Sequence, residues 1–390
     1  MIKTTASRTK TLASGVGAFF KSFQLTIVLL ALLMCLVVLC TIAQVEMGTQ
    51  GAVNAYMRSF IVWNQPLLLH LPFPGGALVG LLLTLNLIAK TLDIKLSWQK
   101  AGMWLVHCGL VILFAGEFVA GMLQVDTNMS IEVGQTVNYV QSYKNTELAL
   151  IDVTDPAWDD VYSVPDTLLA KGGSIAIPGT PITLKVKRFF PNAELSNLAP
   201  GAPPSMATAG VGTAVSVVEK PVVSADNEMN QASAFVEPVA GGRSYGTWLT
   251  SVALGAPQSF THEGRTYVLS MRLLRQYLPY AFTLKQFRHD VYPGTDIPKN
   301  FSSLVQVVNP SRKESREVLI YMNQPLRYEG KTFYQASFGK NDTLSVLSVV
   351  ENPGWLLPYV SCVLVSLGLL VHFAIVLRRS LKRRQDKKEG

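Results

Sequence analysis

The chain has 390 residues, of which 49% are hydrophobic, and its net charge is +8. This composition fits a protein that is part membrane and part soluble. A basic chain can also bind nucleic acid. Here, however, the basic residues are gathered in three segments beside apolar runs, and this distribution excludes nucleic acid as the expected partner.

Four apolar runs predict membrane-spanning helices. The uncharged runs are Phe23–Ile42, Gly75–Ala89, Ala101–Gly116 and Trp355–Leu377. A spanning helix needs about 20 apolar residues, so the second must begin near residues 70–73 and the third must continue through Glu117. The predicted spans are residues 23–43, 70–89, 101–123 and 355–377. The first run is longer than a signal-peptide core and no A-x-A site follows it, so we expect it to be retained.

The basic residues indicate the topology. Segments 1–22, 90–100 and 378–390 hold fourteen Lys and Arg against three acidic residues, a net charge of +11 that leaves −3 for the rest. Basic residues beside alternate loops follow the positive-inside rule. We therefore expect both termini to be cytoplasmic and segments 44–69 and 124–354 to lie outside. The basic tail also suits the anionic surface of a lipid bilayer.

Cysteine usage bears on the chemistry of the external segment. All four cysteines fall within the predicted spans; they are Cys35, Cys40, Cys108 and Cys362. Segment 124–354 therefore contains neither a thiol pair for disulfide exchange nor a C-x-x-C-H site for covalent haem.

The external segment 124–354 predicts an all-β domain, sandwich- or barrel-like, because short alternating runs are separated by turn residues. The candidate strands are Thr146–Val153, Thr183–Arg188, Ala214–Val218, Thr266–Leu274, Phe282–Phe287, Ser303–Val308, Glu317–Met322, Thr332–Phe338 and Thr343–Val350. Residues 195–245 are rich in Ala, Pro, Ser and Gly, and this composition predicts a mobile insertion.

Two histidines lie at membrane depth, where an ionisable group needs a partner or a ligand. His107 lies about 10 Å and His372 about 9 Å from the cytoplasmic face at the rise of a helix. A neutral imidazole can ligate haem iron, or it can simply bond to a neighbouring helix. Glycines recur every seven residues on span three, at Gly102, Gly109 and Gly116, and leave room for a flat ligand or for close helix packing.

The other polar candidates have ordinary explanations. Glu117 either pairs with an external group or is solvated at the interface. His70 lies at the edge of span two, and His262 and His289 are expected to be solvated surface histidines. A group of arginines and tyrosines either holds haem propionates or belongs to the core and surface; its members are Arg272, Arg275, Tyr277 and Tyr280. No catalytic triad, metal cluster or carboxylate pair stands out, so no catalytic residue is predicted.

Two passages carry a family resemblance: residues 292–303, YPGTDIPKNFSS, and residues 322–338, MNQPLRYEGKTFYQASF. They resemble the closing strands of the ResB (CcsB) family of cytochrome c biogenesis proteins. The layout of three spans, a large domain and one further span is also similar to that family. The stretch 195–245 is the part without a match.

The resemblance implies a subunit of the bacterial System II cytochrome c synthetase, in the inner membrane. Such a subunit acts with a ResC/CcsA-type membrane partner to bind haem b, export it and attach it to apocytochrome c. In the family a histidine of the third span ligates haem, and His107 stands at the similar position. His372 has no role in the family, and the partner's tryptophan-rich loop is not present here, so catalysis by this chain alone is not implied.

Two other classes of function remain open at this point. The chain could be a scaffold for the partner that binds no haem. Alternatively, His107 and His372 could together ligate one haem in a b-type electron-transfer protein.

Overall fold

The computed structural model describes residues 17–63, 72–201, 203–223, 229–255, 257–295 and 298–389. The chain divides into two compact units. The helical unit contains the chain up to Gln124 and again from Asn352, and the β unit lies between Val125 and Glu351. The expectations for His70 and for the first basic residues lie outside the described residues.

The helical unit contains the four predicted helices. They are α1 (Phe23–Ala52), α2 (Gly76–Asp93), α3 (Ala101–Leu123) and α4 (Leu357–Glu389). Each is long and apolar enough to cross a membrane. Helix α2 begins at Gly76, whereas the second span was expected from residue 70, and α4 continues through the basic tail that was expected to follow it.

The segment after α1 is more structured than a loop. Gly48 interrupts α1 with φ 69° and ψ 168°, a conformation that favours glycine. A π-helical turn, Val53–Met57, continues the chain. Strands β1 (Ile61–Val62) and β2 (Phe73–Pro74) then form a small antiparallel pair.

A buried asparagine joins α1 to α2. Asn86 is 2% exposed, and its amide donates to the carbonyl oxygens of Phe20 at 2.7 Å and Ser22 at 3.2 Å. Its Oδ1 accepts from Thr26 Oγ1 at 2.7 Å. The local pattern does not indicate this role, because Asn86 is an uncharged polar residue within an apolar run.

We expect Asn86→Leu to destabilise the helical unit by about 1–2 kcal/mol, since three bonds between elements are lost in an apolar setting. The reaction of a thiol-specific dye during heating measures this, because all four cysteines lie in the helical unit, in α1, α3 and α4. Thr41→Val is the matched control, since the Thr41 hydroxyl donates to the carbonyl oxygen of Val37 within its own helix at 2.8 Å. An equal shift in both variants would contradict the role of Asn86.

The β unit is built around a ten-stranded antiparallel sheet. Eight strands are neighbours in the order β16-β15-β14-β4-β3-β19-β18-β17. Strand β13 pairs in addition with β14, and β5 pairs with β4. Their bounds are β3 Val125–Glu132, β4 Thr136–Asp152, β5 Asp160–Pro165, β13 Gln258–His262, β14 Arg265–Val291, β15 Pro298–Asn309, β16 Glu314–Tyr321, β17 Leu326–Tyr328, β18 Lys331–Gly339 and β19 Leu344–Glu351. Because β16 also contacts β18, the sheet curls into a nearly closed barrel.

A smaller five-stranded sheet has the order β11-β10-β7-β6, with β12 on β10. Its strands are β6 Gly173–Ala176, β7 Ile182–Phe190, β10 Ser233–Ala240, β11 Arg243–Ser244 and β12 Trp248–Ser251. Strands β8 (Ala193–Asn197) and β9 (Val215–Glu219) form a separate pair. The prediction of a sandwich- or barrel-like all-β domain is confirmed, and the fold combines both features.

Each sheet has its own apolar core. The barrel closes over a cluster that includes Phe282 and Phe333, both 0% exposed. A second cluster around Tyr267 and Leu184 lies between the small sheet and parts of β4, β5, β13 and β14. The long strand β14 contributes side chains to both clusters. Its register against β4 shifts between Leu273 and Arg275 and again between Tyr277 and Phe282.

All nine candidate strands coincide with observed ones, but the stretch 195–245 differs from the expectation of a mobile insertion. It holds β9, β10 and β11, and it contributes to an apolar cluster with Phe190, Phe235 and Leu249. Asn192 fixes its path by donating to the carbonyl oxygen of Pro221 at 2.7 Å and accepting from the backbone nitrogen of Gln231 at 2.9 Å. Composition misled here because small residues in the stretch pack between the strands.

Candidate functional site

His107 lies in the first half of α3 and is the first candidate residue. The helix forms because residues 101–123 are apolar with a single charge, Glu117. His107 is half-buried, and its Nδ1 is buried without a hydrogen-bond partner in the described part of the chain. Buried polar nitrogens normally have a partner, so this imidazole is suited to an external ligand.

Three of the four glycines of α3, Gly102, Gly109 and Gly116, form a contact seam with α4. A Cβ at Gly102 would lie 2.5 Å from the backbone nitrogen of His372, and one at Gly116 would lie 2.8 Å from Leu357 Cβ. At Gly109, Ser361 Oγ donates to the backbone oxygen at 2.8 Å. Of the two possibilities for these glycines, close helix packing is the one that the structure has.

The seam also shows how the two membrane histidines are arranged. At 100° per residue, His107 lies about 140–160° around α3 from Gly102 and Gly109, so it is directed away from α4. His372 belongs to α4, and its backbone packs on Gly102, five residues before His107. His372 contacts the ring of Phe373. This arrangement gives no support to a haem held by both histidines.

Glu117 is exposed on α3. The sequence left two explanations open for this carboxylate within a span: pairing with an external group, or solvation at the membrane interface. Its exposure agrees with solvation, and no further role is assigned to it.

The arginine and tyrosine group of the β unit is largely structural. Arg272 Nε donates to Glu147 Oε1 at 2.8 Å, and the two side chains are 13% and 1% exposed. Ser163 donates to the other carboxylate oxygen of Glu147. A buried arginine that already has a carboxylate partner is not available for a propionate.

The remaining members of that group differ in their surroundings. The guanidinium of Arg275 stacks over Tyr139 at 4.1 Å, and Tyr277 is 47% exposed. Tyr280 belongs to the barrel core, where burial raises the pKa of its hydroxyl well above the usual value.

Both described histidines of the β unit contradict the expectation of solvated surface residues. His262 is 9% exposed, and its Nδ1 lies 2.6 Å from Tyr245 Oη. His289 has a side chain that is 13% exposed and an Nδ1 that lies 3.2 Å from Asp342 Oδ1. Exposure was expected because a turn follows His262 and polar residues surround His289 in the sequence. In the structure, packing between strands buries both rings.

The two passages that carry the family resemblance meet at one end of the barrel. Ser303, from the first passage, donates to Gln335 Oε1 of the second at 2.6 Å. The ring centroids of Phe301 and Phe338 lie 5.5 Å apart. Residues separated by over thirty positions therefore form one packed cluster, which explains why both passages are needed for this end of the fold.

The fold thus defines a membrane protein with four helices able to span the bilayer and a large all-β domain of nearly closed barrel form. Within that domain, residues 252–346 match the model of the ResB-like family. The predicted resemblance to the ResB family is confirmed over this segment.

A relative with a similar segment is Protein NrfI of Wolinella succinogenes, which is 37% identical over 93 residues. The match covers 24% of this chain and 10% of NrfI. Most of each protein therefore lies outside the comparison. The family segment includes His289, Phe301, Phe338 and Asp342 but not His107, so the family match does not bear on His107.

Proposed function

We propose that this chain is a subunit of the System II cytochrome c synthetase. It acts with a ResC/CcsA-type membrane partner to bind haem b, export it and assist its attachment to apocytochrome c. In this proposal the chain lies in a bacterial inner membrane with both termini in the cytoplasm and the β unit outside. It is a haem-handling subunit and not a complete enzyme.

The family segment supports a role in cytochrome c biogenesis. The four helices support a location in a membrane, and the basic residues beside alternate loops support cytoplasmic termini. Haem transport, the partner and the acceptor protein follow from the resemblance to the family and are the parts that experiment must decide.

The observation that carries haem binding is the buried, unpartnered Nδ1 of His107 within a membrane span. Haem iron accepts a neutral imidazole as an axial ligand. Because the glycine seam packs against α4, the face of α3 that bears His107 is turned towards other neighbours. A ligand or a partner helix can therefore approach His107 without displacing α4, and a partner subunit supplies the second axial position.

The decisive experiment replaces His107 with alanine in the chain expressed with its partner. We expect the haem content of the purified complex to fall at least about tenfold, because even outer-shell partners of metal ligands contribute about 10–100-fold. Mature cytochrome c should fall with it. Absorption spectra of the complex and haem staining of the cytochromes measure the two effects.

His372→Ala is the matched control, because it removes a second membrane histidine, whose backbone packs on Gly102 of α3. This variant should retain haem and mature cytochromes. Normal haem content and normal maturation in His107→Ala, at equal protein level, would contradict the proposal and favour a scaffold. Loss of haem in both variants would favour the two-histidine alternative.

A further inference from the structure

His289 lies near the end of β14 and is held by Asp342, which follows β18. Its Nδ1 lies 3.2 and 3.3 Å from the two carboxylate oxygens. The His289 side chain is 13% exposed and that of Asp342 is 51% exposed. A carboxylate at Nδ1 favours the tautomer that carries its proton there, which leaves the lone pair on Nε2.

The Nε2 atom of His289 is buried and has no hydrogen-bond partner within the described ranges. In a folded protein nearly all buried polar atoms have a partner, and an orphaned one costs free energy. An imidazole with one nitrogen fixed and the other left without a partner is arranged as a ligand or a base. The pattern matches that of His107, although the two residues belong to different units.

Aromatic rings surround this imidazole. The ring centroid of His289 lies 4.2 Å from that of Phe338, and Phe338 in turn lies 5.7 Å from Phe287 and 5.5 Å from Phe301. We name these three phenylalanines with His289 the aromatic cluster. Its members come from β14, β15 and β18, and their rings offer apolar faces to a flat ligand.

The donor set restricts what this site can bind. No group of three or more His, Cys, Asp or Glu side chains that could hold a metal ion occurs among the described residues. A bare cation would therefore lack ligands. An iron porphyrin brings four ring nitrogens of its own and needs only one imidazole, and a carboxylate on the other ring nitrogen is the common arrangement for a metal-bound histidine.

We propose that His289 is an axial ligand for haem iron in the β unit, positioned by Asp342, with the aromatic cluster contacting the porphyrin face. The inference rests on the proposed function, because it takes haem as the cargo. It adds a second haem site to the chain, separate from His107. Since Nε2 is covered, haem reaches it when the rings of the cluster move apart.

The test uses the full chain, purified in detergent without its partner and carrying His107→Ala, titrated with hemin. Absorption and electron paramagnetic resonance spectra report the axial ligand directly. We expect hemin to bind with a histidine signature. Adding His289→Gly should weaken binding at least about tenfold and abolish that signature, and free imidazole should restore it. Adding Asp342→Asn should weaken binding by about 10–100-fold with the histidine signature retained.

His262→Gln is the matched control, since His262 is the other described histidine of the β unit and already has a partner in Tyr245. It should bind hemin as the parent does. If His289→Gly lowers the melting temperature of the β unit, the test uses His289→Gln in its place, because glutamine keeps a polar side chain there.

Hemin spectra that are identical with and without His289 would overturn the proposal, as would equal losses in the His262 control, which would indicate adventitious hemin only. Because His107 is absent throughout, failure of this proposal leaves the His107 proposal standing.

Discussion

Replacing Arg272 with alanine is expected to destabilise the β unit by about 3–5 kcal/mol, because the change leaves the Glu147 carboxylate buried without its cation. Glu147 is 1% exposed and lies directly opposite Arg272 on the neighbouring strand. Among the described residues, the Ser163 hydroxyl would remain as the hydrogen-bond donor to this carboxylate. Urea unfolding of the full chain in detergent, followed by the far-ultraviolet circular dichroism of the β structure, measures the loss.

Two controls separate the buried charge from simple truncation. The double variant Arg272→Met, Glu147→Leu should recover most of the stability, since apolar residues of similar size often replace a buried ion pair without loss. Lys220→Ala breaks an exposed pair with Glu194 and should change little. A mild effect of Arg272→Ala, equal to that of Lys220→Ala, would show that the Glu147 site is hydrated.

Replacing Gly102 with leucine is expected to separate α3 from α4. A Cβ at this position would lie 2.5 Å from a backbone nitrogen and 2.6 Å from a backbone oxygen of α4, and backbone atoms cannot rotate away. Overpacking of this kind costs about 1–3 kcal/mol, and the rigid neighbours place Gly102 at the upper end. The thiol-dye melting transition of the helical unit should therefore fall by several degrees.

Gly121→Leu is a matched control on the same helix, because a Cβ at Gly121 meets nothing within 4 Å. The same side chain is added to the same helix, so helix propensity and hydrophobicity change equally. A comparable fall in both melting transitions would show that the seam does not hold the two helices together.

The candidate site shows where sequence patterns mislead. The pattern found His107 because an ionisable group in an apolar run is conspicuous. The sequence pattern predicted that His262 and His289 are surface residues, because His262 lies beside a turn and His289 lies among polar residues. Their burial depends on Tyr245 and Phe338, residues brought together only by the pairing of distant strands.

Strand β14 gives a second example. Thr266–Leu274 and Phe282–Phe287 were predicted as two separate strands. Between them lies Pro279, which cannot donate a backbone hydrogen bond. In the structure they form one strand of 27 residues, and Pro279 lies where the register against β4 shifts. The irregularity accommodates the proline and carries the chain from one apolar core to the other.

Local sequence determined the features that depend on hydropathy and period alone. These features are the four helices, the basic residues beside alternate loops and the nine candidate strands. Each depends on the hydropathy and charge of residues that are neighbours in the chain. Tertiary structure decided the sheet order, the use of the α3 glycines for packing on α4, and the burial of Glu147 with Arg272. It also decided the pairing of His289 with Asp342. Each of these depends on contacts between residues far apart in the chain, whose free energy no local pattern records.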